Sequence, residues 1–198
     1  MTVSVFDCYA NTVADLIHTH SPKRQPLLVG LDGRCTSGKT TFAHVLEARL
    51  HCPVIHMDHF FLRPHMRTPE RLATPGGNVD HERFLEEVMV PLRKGQAITY
   101  RPFDCHTLDF RTPITVPHAD VILVEGTYAL CPALREYYDL RLFLTVDPDI
   151  QLRRIEARNG AGGLEAFRSK WIPLEEKYFH ACRPWEGGDL IVDTTSLW

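Results

Sequence analysis

An apolar run, Leu27-Leu28-Val29-Gly30-Leu31, leads into Gly33-Arg34-Cys35-Thr36-Ser37-Gly38-Lys39-Thr40-Thr41, and a helical pattern follows from Phe42 to Leu50. The glycines let the backbone curl so that several N–H groups face one anion. The helix that begins near Lys39 adds the positive end of its dipole to the same point. Lys39 supplies a mobile cation for terminal phosphates, and the Thr40 hydroxyl stands where it can ligate Mg²⁺. Glycine and serine alone would make only a solvated turn. Strand, spacing, Lys-Thr pair and helix coincide here, and together they mark a cradle for a nucleoside triphosphate, with ATP and Mg²⁺ as the expected ligands.

The rest of the chain supports a matching architecture. Val54-Ile55-His56-Met57, Val121-Ile122-Leu123-Val124, Leu142 to Val146 and Leu190-Ile191-Val192 read as four more strands. None alternates cleanly, as expected of parallel strands covered on both faces. Helical stretches are predicted over residues 3–18, where Val5, Tyr9, Val13, Leu16 and Ile17 recur at helical spacing, and over 41–50, 80–94, 149–158 and 164–181. Ser21 to Pro26 breaks the first of these, and Asp147-Pro148 reads as an N-cap with proline at the first helical position. Strands alternating with helices call for a doubly wound α/β fold with a five-stranded parallel sheet of the P-loop NTPase type. The 198 residues suit one domain. Residues 62–79 form a long irregular excursion, and 95–118 read as a small β-rich insertion in which 97–100 and 114–116 are possible partners. Together they suggest acceptor-side excursions over about 59–118 and a short lid over about 153–170.

In such a sheet a ligand lies beyond the carboxyl ends of the strands. Asp58 after the second strand, Glu125 ending the third and Asp32 before Gly33 should therefore converge on the loop. Phosphoryl transfer to an alcohol needs a carboxylate to take the hydroxyl proton and Mg²⁺ to offset phosphate charge. Asp58 and Glu125 are the best placed for these roles, although Glu125 also suits a capping or ion-pairing acid. Asp32 fits better as a prop for the turn. Arg154 and Arg158, four apart, share a helix face that is either solvated or swings over the phosphates, with Gly160, Gly162 and Gly163 as hinge. His51, His56, His59 and His65 crowd one region beside Cys52, but without zinc-finger spacing. Gly76-Gly77 reads equally as a plain turn or as the entry to Asn78-Val79-Asp80. Trp171, Trp185 and Trp198 read as packing residues.

These motifs, in this order, resemble the uridine kinase-like branch of the P-loop kinases, which includes phosphoribulokinase, pantothenate kinase and nicotinamide riboside kinase. Gly30 to Thr41 is similar to that family's loop without a gap. His56-Met57-Asp58-His59-Phe60-Phe61 resembles its Asp-x-Phe-Tyr element, which implies that Asp58 is the catalytic base and a contact to Mg²⁺. Asn78-Val79-Asp80-His81 is similar to Asn-Phe-Asp-His, implying that Asp80 holds sugar hydroxyls. Tyr100-Arg101-Pro102-Phe103-Asp104 resembles the Pro-x-Tyr-Asp element beside the acceptor, which brings in Phe103 and the nearby His106. Val124-Glu125-Gly126 corresponds to the Glu-Gly strand end, and Arg153-Arg154-Ile155 to the entry of the lid. The chain departs from the family at Phe103 and Cys105, at Leu108 where a base-reading His would fall, and at Asn159-Gly160-Ala161-Gly162-Gly163 in the lid.

The expected activity is transfer of the γ-phosphoryl of ATP to a hydroxyl of a small acceptor. By resemblance the acceptor is a nucleoside or nucleoside-like ribosyl compound; pantothenate or a sugar phosphate is the alternative. A nucleotide-dependent switch is the other class, but the chain has neither Asn-Lys-x-Asp nor Leu-Ser-Gly-Gly. Hydrophobic residues make up 44% and the net charge is -3, with no basic surplus to argue for nucleic acid or an anionic membrane. Six scattered cysteines without C-x-x-C spacing suggest reduced thiols and a cytoplasmic enzyme. The partner expected is the small-molecule acceptor, and a homo-oligomer is compatible with the composition.

Overall fold

The computed structural model describes residues 5–19 and 26–197. The start of the first predicted helix, the Ser21 to Gln25 break and Trp198 lie outside them. The central sheet contains β1 (Leu27–Gly33), β2 (Val54–His56), β7 (Val121–Glu125), β8 (Leu140–Thr145) and β9 (Leu190–Asp193). Its order is β2-β7-β1-β8-β9, and every pair is parallel. All seven residues of β1 are buried, as a central strand covered on both faces requires.

Side chains alternate across the sheet and divide the core in two. On one face Leu27, Val29 and Leu31 pack with Phe42 and Leu46 of α2 (Lys39–Leu50) and with Ala10 and Val13 of α1 (Val5–Thr19). Val5, expected on the apolar stripe of α1, is instead 47% exposed at its first turn. On the other face Leu28, Ile122 and Val124 pack with Phe60, Phe84, Val88 and Phe179.

The excursion after β2 holds a 3₁₀ turn (Met57–Phe60), a second one (Pro64–Met66) and α3 (Pro69–Ala73). The predicted helix over 80–94 is present as α4 (His81–Phe84), a π-helical turn (Leu85–Met89) and α5 (Val90–Arg93). The wide turn lies just upstream of Pro91, and a second (Phe167–Trp171) lies just upstream of Pro173. A proline ring crowds the carbonyl four residues earlier and offers no N–H, so widening the turn relieves both problems. The β-rich insertion pairs β3 (Ile98–Tyr100) with β6 (Ile114–Val116) antiparallel, with Ile98 opposite Val116, in agreement with the sequence. It also contains a smaller hairpin, β4 (Phe103–Asp104) with β5 (Asp109–Phe110), that periodicity did not reveal. After β7 come α6 (Pro132–Arg135), α7 (Pro148–Ala166) and α8 (Ile172–Cys182). Asp147 caps α7 through Asp149 N at 2.9 Å and Ile150 N at 3.3 Å.

Candidate active site

The loop from Gly33 to Lys39 hangs from the carboxyl end of the central strand. The first bond of α2 runs from Phe42 N to Gly38 O, so the amides of Lys39, Thr40 and Thr41 have no intrahelical acceptor. Thr36 holds a left-handed backbone at φ 57, a strained conformation for a β-branched residue that bends the loop at its middle. The Ser37 hydroxyl is buried with no hydrogen-bond partner. Lys39 folds back so that its Nζ donates to Gly33 O at 2.9 Å and Arg34 O at 2.8 Å. Orphan amides, an orphan hydroxyl and an ammonium at one helix start fit a polyphosphate.

Asp32 holds this loop from beneath. It is fully buried and accepts from Gly33 N at 2.6 Å, Tyr128 N at 3.1 Å, Leu130 N at 2.9 Å and Tyr178 Oη at 2.7 Å. The outer side of the loop is gripped by α7 and α8. Glu175 Oε2 accepts from Cys35 N at 2.9 Å, while its Oε1 accepts from Gln151 Nε2 at 3.0 Å. Arg34 forms a two-pronged ion pair with Glu176 and lies over the Phe179 ring at 5.1 Å. Arg34 and Cys35, both expected in the phosphate cradle, use the Arg34 side chain and the Cys35 amide to anchor the loop to α8. Gln151, Glu175, Glu176 and Tyr178 were invisible to motif reading because contacts more than a hundred residues apart leave no local pattern.

Glu125 and Asp58 meet beside the helix start. Glu125 is buried at the end of β7 and its Oε1 lies 3.5 Å from Thr40 Oγ1 and 2.6 Å from His56 Nδ1. Gly126 follows with φ 143, and a Cβ there would come within 2.7 Å of the Met57 Cβ, so only glycine lets the ends of β2 and β7 approach this closely. Asp58 is exposed to solvent, with protein crowded around its base. Those surroundings disfavour its charged form and the like charge of Glu125 adds to this, so its pKa is raised against the pull of Lys39, His56 and Arg158. The hydrogen bond to Glu125 raises the pKa of His56. Burial, with the positive charges of His56 and Arg111, lowers that of His59 to about 4.

Among the described residues no group of three or more His, Cys, Asp and Glu side chains could hold a metal unaided. Mg²⁺ is satisfied by one or two carboxylates, a hydroxyl, phosphate oxygens and water, so Thr40, Glu125 and Asp58 fit it as a hard-oxygen set.

On the acceptor side the chain folds back on itself. Phe61 and Val79 form an antiparallel bridge, Asp80 N donates to Phe60 O at 2.7 Å and Leu62 N donates to Asn78 O at 3.2 Å. Asp80 is thereby buried at the start of α4, which it caps through Arg83 N at 3.2 Å. Arg71 shapes the approach by donating to Gly77 O at 3.1 Å and Val79 O at 2.9 Å while pairing with Glu82. A Cβ on Gly77 would fall 2.1 Å from Arg71 O, so Gly76-Gly77 is more than a solvated turn. Phe103 is buried against Phe110 with ring centroids 5.9 Å apart. His106 is exposed on the hairpin, and its amide donates to Asp104 Oδ1 at 2.8 Å.

Comparison with known proteins agrees with this geometry. No family model matches the chain. It is 30% identical over 148 residues to a uridine kinase of Streptococcus uberis, covering 68% of both chains. It is 32% identical over 142 residues to uridine kinase-like protein 4 of Arabidopsis thaliana, covering 67% of this chain and 30% of that one. The chain belongs to the uridine kinase-like family of P-loop kinases. It spans only about a third of the length of the Arabidopsis members of that family. Among solved structures, a possible uridine kinase from Bacillus stearothermophilus shares the fold, with a TM-score of 0.71, 22% identity, and 93% of this chain and 97% of that chain covered.

Within this family fold the lid keeps the break its sequence suggests, narrowed to one residue. Helix α7 consists of two helical stretches joined across a kink at Gly160 (φ 71, ψ 176), so the expected three-glycine hinge reduces to one residue. Arg154 and Arg158 do share a face toward the loop. Arg154 is buried, donating to Thr36 O at 3.3 Å, Thr194 Oγ1 at 3.0 Å and Thr194 O at 2.6 Å. It therefore links loop, lid helix and last strand and does not swing. Arg158 is exposed and reaches the loop at Cys35 Sγ, 3.5 Å away. Trp185 packs against Phe143 at 5.5 Å, as a core residue should, whereas Trp171 is half-buried with Lys170 4.5 Å above its ring.

Proposed function

We propose that this chain transfers the γ-phosphoryl group of ATP, with Mg²⁺, to a hydroxyl of a small acceptor, a nucleoside or nucleoside-like ribosyl compound. The observation that carries this reading is Asp58, a solvent-exposed carboxylate held above its ordinary pKa, within electrostatic reach of Lys39, Glu125 and Arg158. A base that receives a hydroxyl proton works best when its affinity for protons is raised toward the working pH. The loop amides, the Ser37 hydroxyl and Lys39 hold the β- and γ-phosphates. Thr40 and Glu125, with Asp58, hold the metal, which when bound offsets the charge gathering on the transferred group. Asp58 accepts the hydroxyl proton, Arg158 closes over the phosphates, and Asp80, Phe103 and His106 border the acceptor. All six cysteines are unpaired, which suits a cytoplasmic enzyme.

A second reading, with pantothenate or a sugar phosphate as acceptor, is favoured by Leu108. It sits 52% exposed on the hairpin where the family has a base-reading histidine. An ADP-release screen of the purified protein across nucleosides, pantothenate, sugars and sugar phosphates tests both readings, with Lys39→Ala as the control for contaminating kinases. Saturable turnover with uridine or cytidine supports the first. Turnover confined to the other acceptors supports the second, and no acceptor-dependent ADP release from any of them overturns the kinase reading.

A further inference from the structure

We propose that His59 determines acceptor specificity, donating its Nε2–H to an uncharged carbonyl oxygen or ring nitrogen on the body of the acceptor. The inference rests on the phosphotransfer reading above and names the group that selects the acceptor.

A cavity of about 530 Å³ is lined by His59, Pro102, Phe110, Arg111, Thr112 and Ile114. His59 shares the 3₁₀ turn Met57–Phe60 with Asp58, so the cavity reaches the turn that carries the base. Pro102, Phe110 and Ile114 give it apolar walls. Arg111 is spent on Asp104, to which its Nε donates at 2.8 Å, and Thr112 is exposed. Leu108, 52% exposed on the nearby hairpin, has a side chain that makes no hydrogen bond. Of the polar side chains lining the cavity, His59 is the one that is half-buried.

The His59 ring is held in one orientation. Tyr100 Oη lies 3.0 Å from its Nδ1, the Tyr100 ring leans against it at 5.8 Å, and the His56 ring meets it edge-on at 5.3 Å. The same contact fixes the tautomer. Tyr100 is only 3% exposed, so its O–H needs an acceptor within the fold. Burial pushes its phenol up to about 12, so the proton stays on the oxygen. Among the described residues, His59 Nδ1 is the acceptor that the fold offers it. Tyr100 therefore donates to Nδ1, and the ring hydrogen of His59 sits on Nε2. No described residue accepts from Nε2. An oriented, uncharged N–H in a cavity with apolar walls rewards an acceptor atom set opposite it. A molecule without that atom leaves the N–H stripped of water and unpaired, and this penalty is the source of selection.

The test crosses two acceptors with variants of one residue. Uridine carries carbonyl oxygens on its ring, whereas phenyl riboside, a benzene ring on the same ribose, carries no polar ring atom. His59→Asn keeps a polar atom near Nδ1 for Tyr100 but removes Nε2, and His59→Gln returns an N–H to the place of Nε2. The ratio of kcat/KM for uridine over phenyl riboside should be at least about tenfold in the parent. It should fall toward unity in His59→Asn through KM and recover in part in His59→Gln. A merely structural role would lower both acceptors alike. A ratio that His59→Asn leaves unmoved, in a protein that phosphorylates uridine, overturns the proposal while the kinase reading stands.

A binding arm decides about His59 where no nucleoside is phosphorylated and the nucleoside reading itself fails. Protein saturated with Mg²⁺ and a non-hydrolysable ATP analogue is titrated calorimetrically with both compounds. Binding of uridine at least about tenfold tighter than phenyl riboside, a preference lost in His59→Asn, supports the proposal. No binding of either compound, equal Kd values, or a preference that the variant keeps overturns it. Nitrogen NMR of the parent with labelled histidine checks the tautomer without any variant: a protonated Nε2 and a bare Nδ1 are expected at His59, and the reverse overturns the proposal.

Discussion

Tyr178 Oη donates to Asp32 Oδ2 at 2.7 Å across 146 residues of chain, fastening helix α8 to the carboxylate beneath the phosphate-binding loop. Tyr178 is itself fully buried, so Tyr178→Phe deletes a donor while keeping the ring. Removing one partner of a buried bond costs about 1–3 kcal/mol. Urea unfolding should show that loss, together with a raised KM for ATP as the loop loosens. A variant as stable as the parent would mean that Asp32 is satisfied without α8.

Asp58→Asn should bind ATP with near-parental affinity and lose transfer by about 10²–10⁴-fold in kcat, the usual contribution of a general base. Single-turnover measurement with a saturating acceptor separates this from a binding defect. Turnover close to that of the parent would remove Asp58 from the role of base.

Gly77→Ala should destabilise the fold by about 3 kcal/mol, at the upper end of overpacking costs, because the new Cβ would collide with the Arg71 carbonyl 2.1 Å away. Denaturant midpoints measure this, and Gly95→Ala serves as the comparison. Gly95 has open space around it, so that substitution meets only the cost of its positive φ of 68. Equal effects at the two positions would show that the Arg71 turn yields easily.

His59 sets a pH dependence with a definite sign. Its pKa is about 4 in the fold against an ordinary 6.5, so the unfolded chain takes up a proton first as pH falls. Its contribution to stability is complete above about 6.5 and is lost between there and about 4, on the order of 1–2 kcal/mol once solvent screening is discounted. His56 acts oppositely: its raised pKa gives stability that is present below the ordinary value and lost as pH climbs through the raised one. Urea midpoints for the parent and His59→Asn at about pH 7.5 and about pH 5 isolate the His59 term. The variant should lose less stability on acidification than the parent, and identical losses would count against this account of His59.

Much of the fold was legible because buried parallel strands announce themselves as short apolar runs, and because the phosphate-binding loop is contiguous in sequence. The β3–β6 pairing was legible for a similar reason, since both strands are made of β-branched and aromatic residues. The clamps around the site were not. Gln151, Glu175 and Tyr178 sit on helices whose local pattern reports only which side faces the core, and their partners in and under the loop lie more than a hundred residues away. The β4–β5 hairpin is two residues per strand, too short for alternation to register. The lid was legible in part. The five glycine-rich residues do hold a break, a kink at Gly160 between two helical stretches, but Gly162 and Gly163 keep helical geometry, so the hinge is one residue and not three. Arg154 looked mobile for want of any sequence sign of Thr194, which receives two of its hydrogen bonds.

The order β2-β7-β1-β8-β9 carries a consequence for how this protein fails. Lys39, Asp58 and Glu125 stand after β1, after β2 and at the end of β7, with β7 between the other two strands, while the loop is clamped from α7 and α8 beyond β8, so the centre draws on both halves of the sheet. Catalytic output therefore reports on whether the whole sheet is assembled: warming or denaturant should extinguish turnover in step with global melting, with no half-active species left behind.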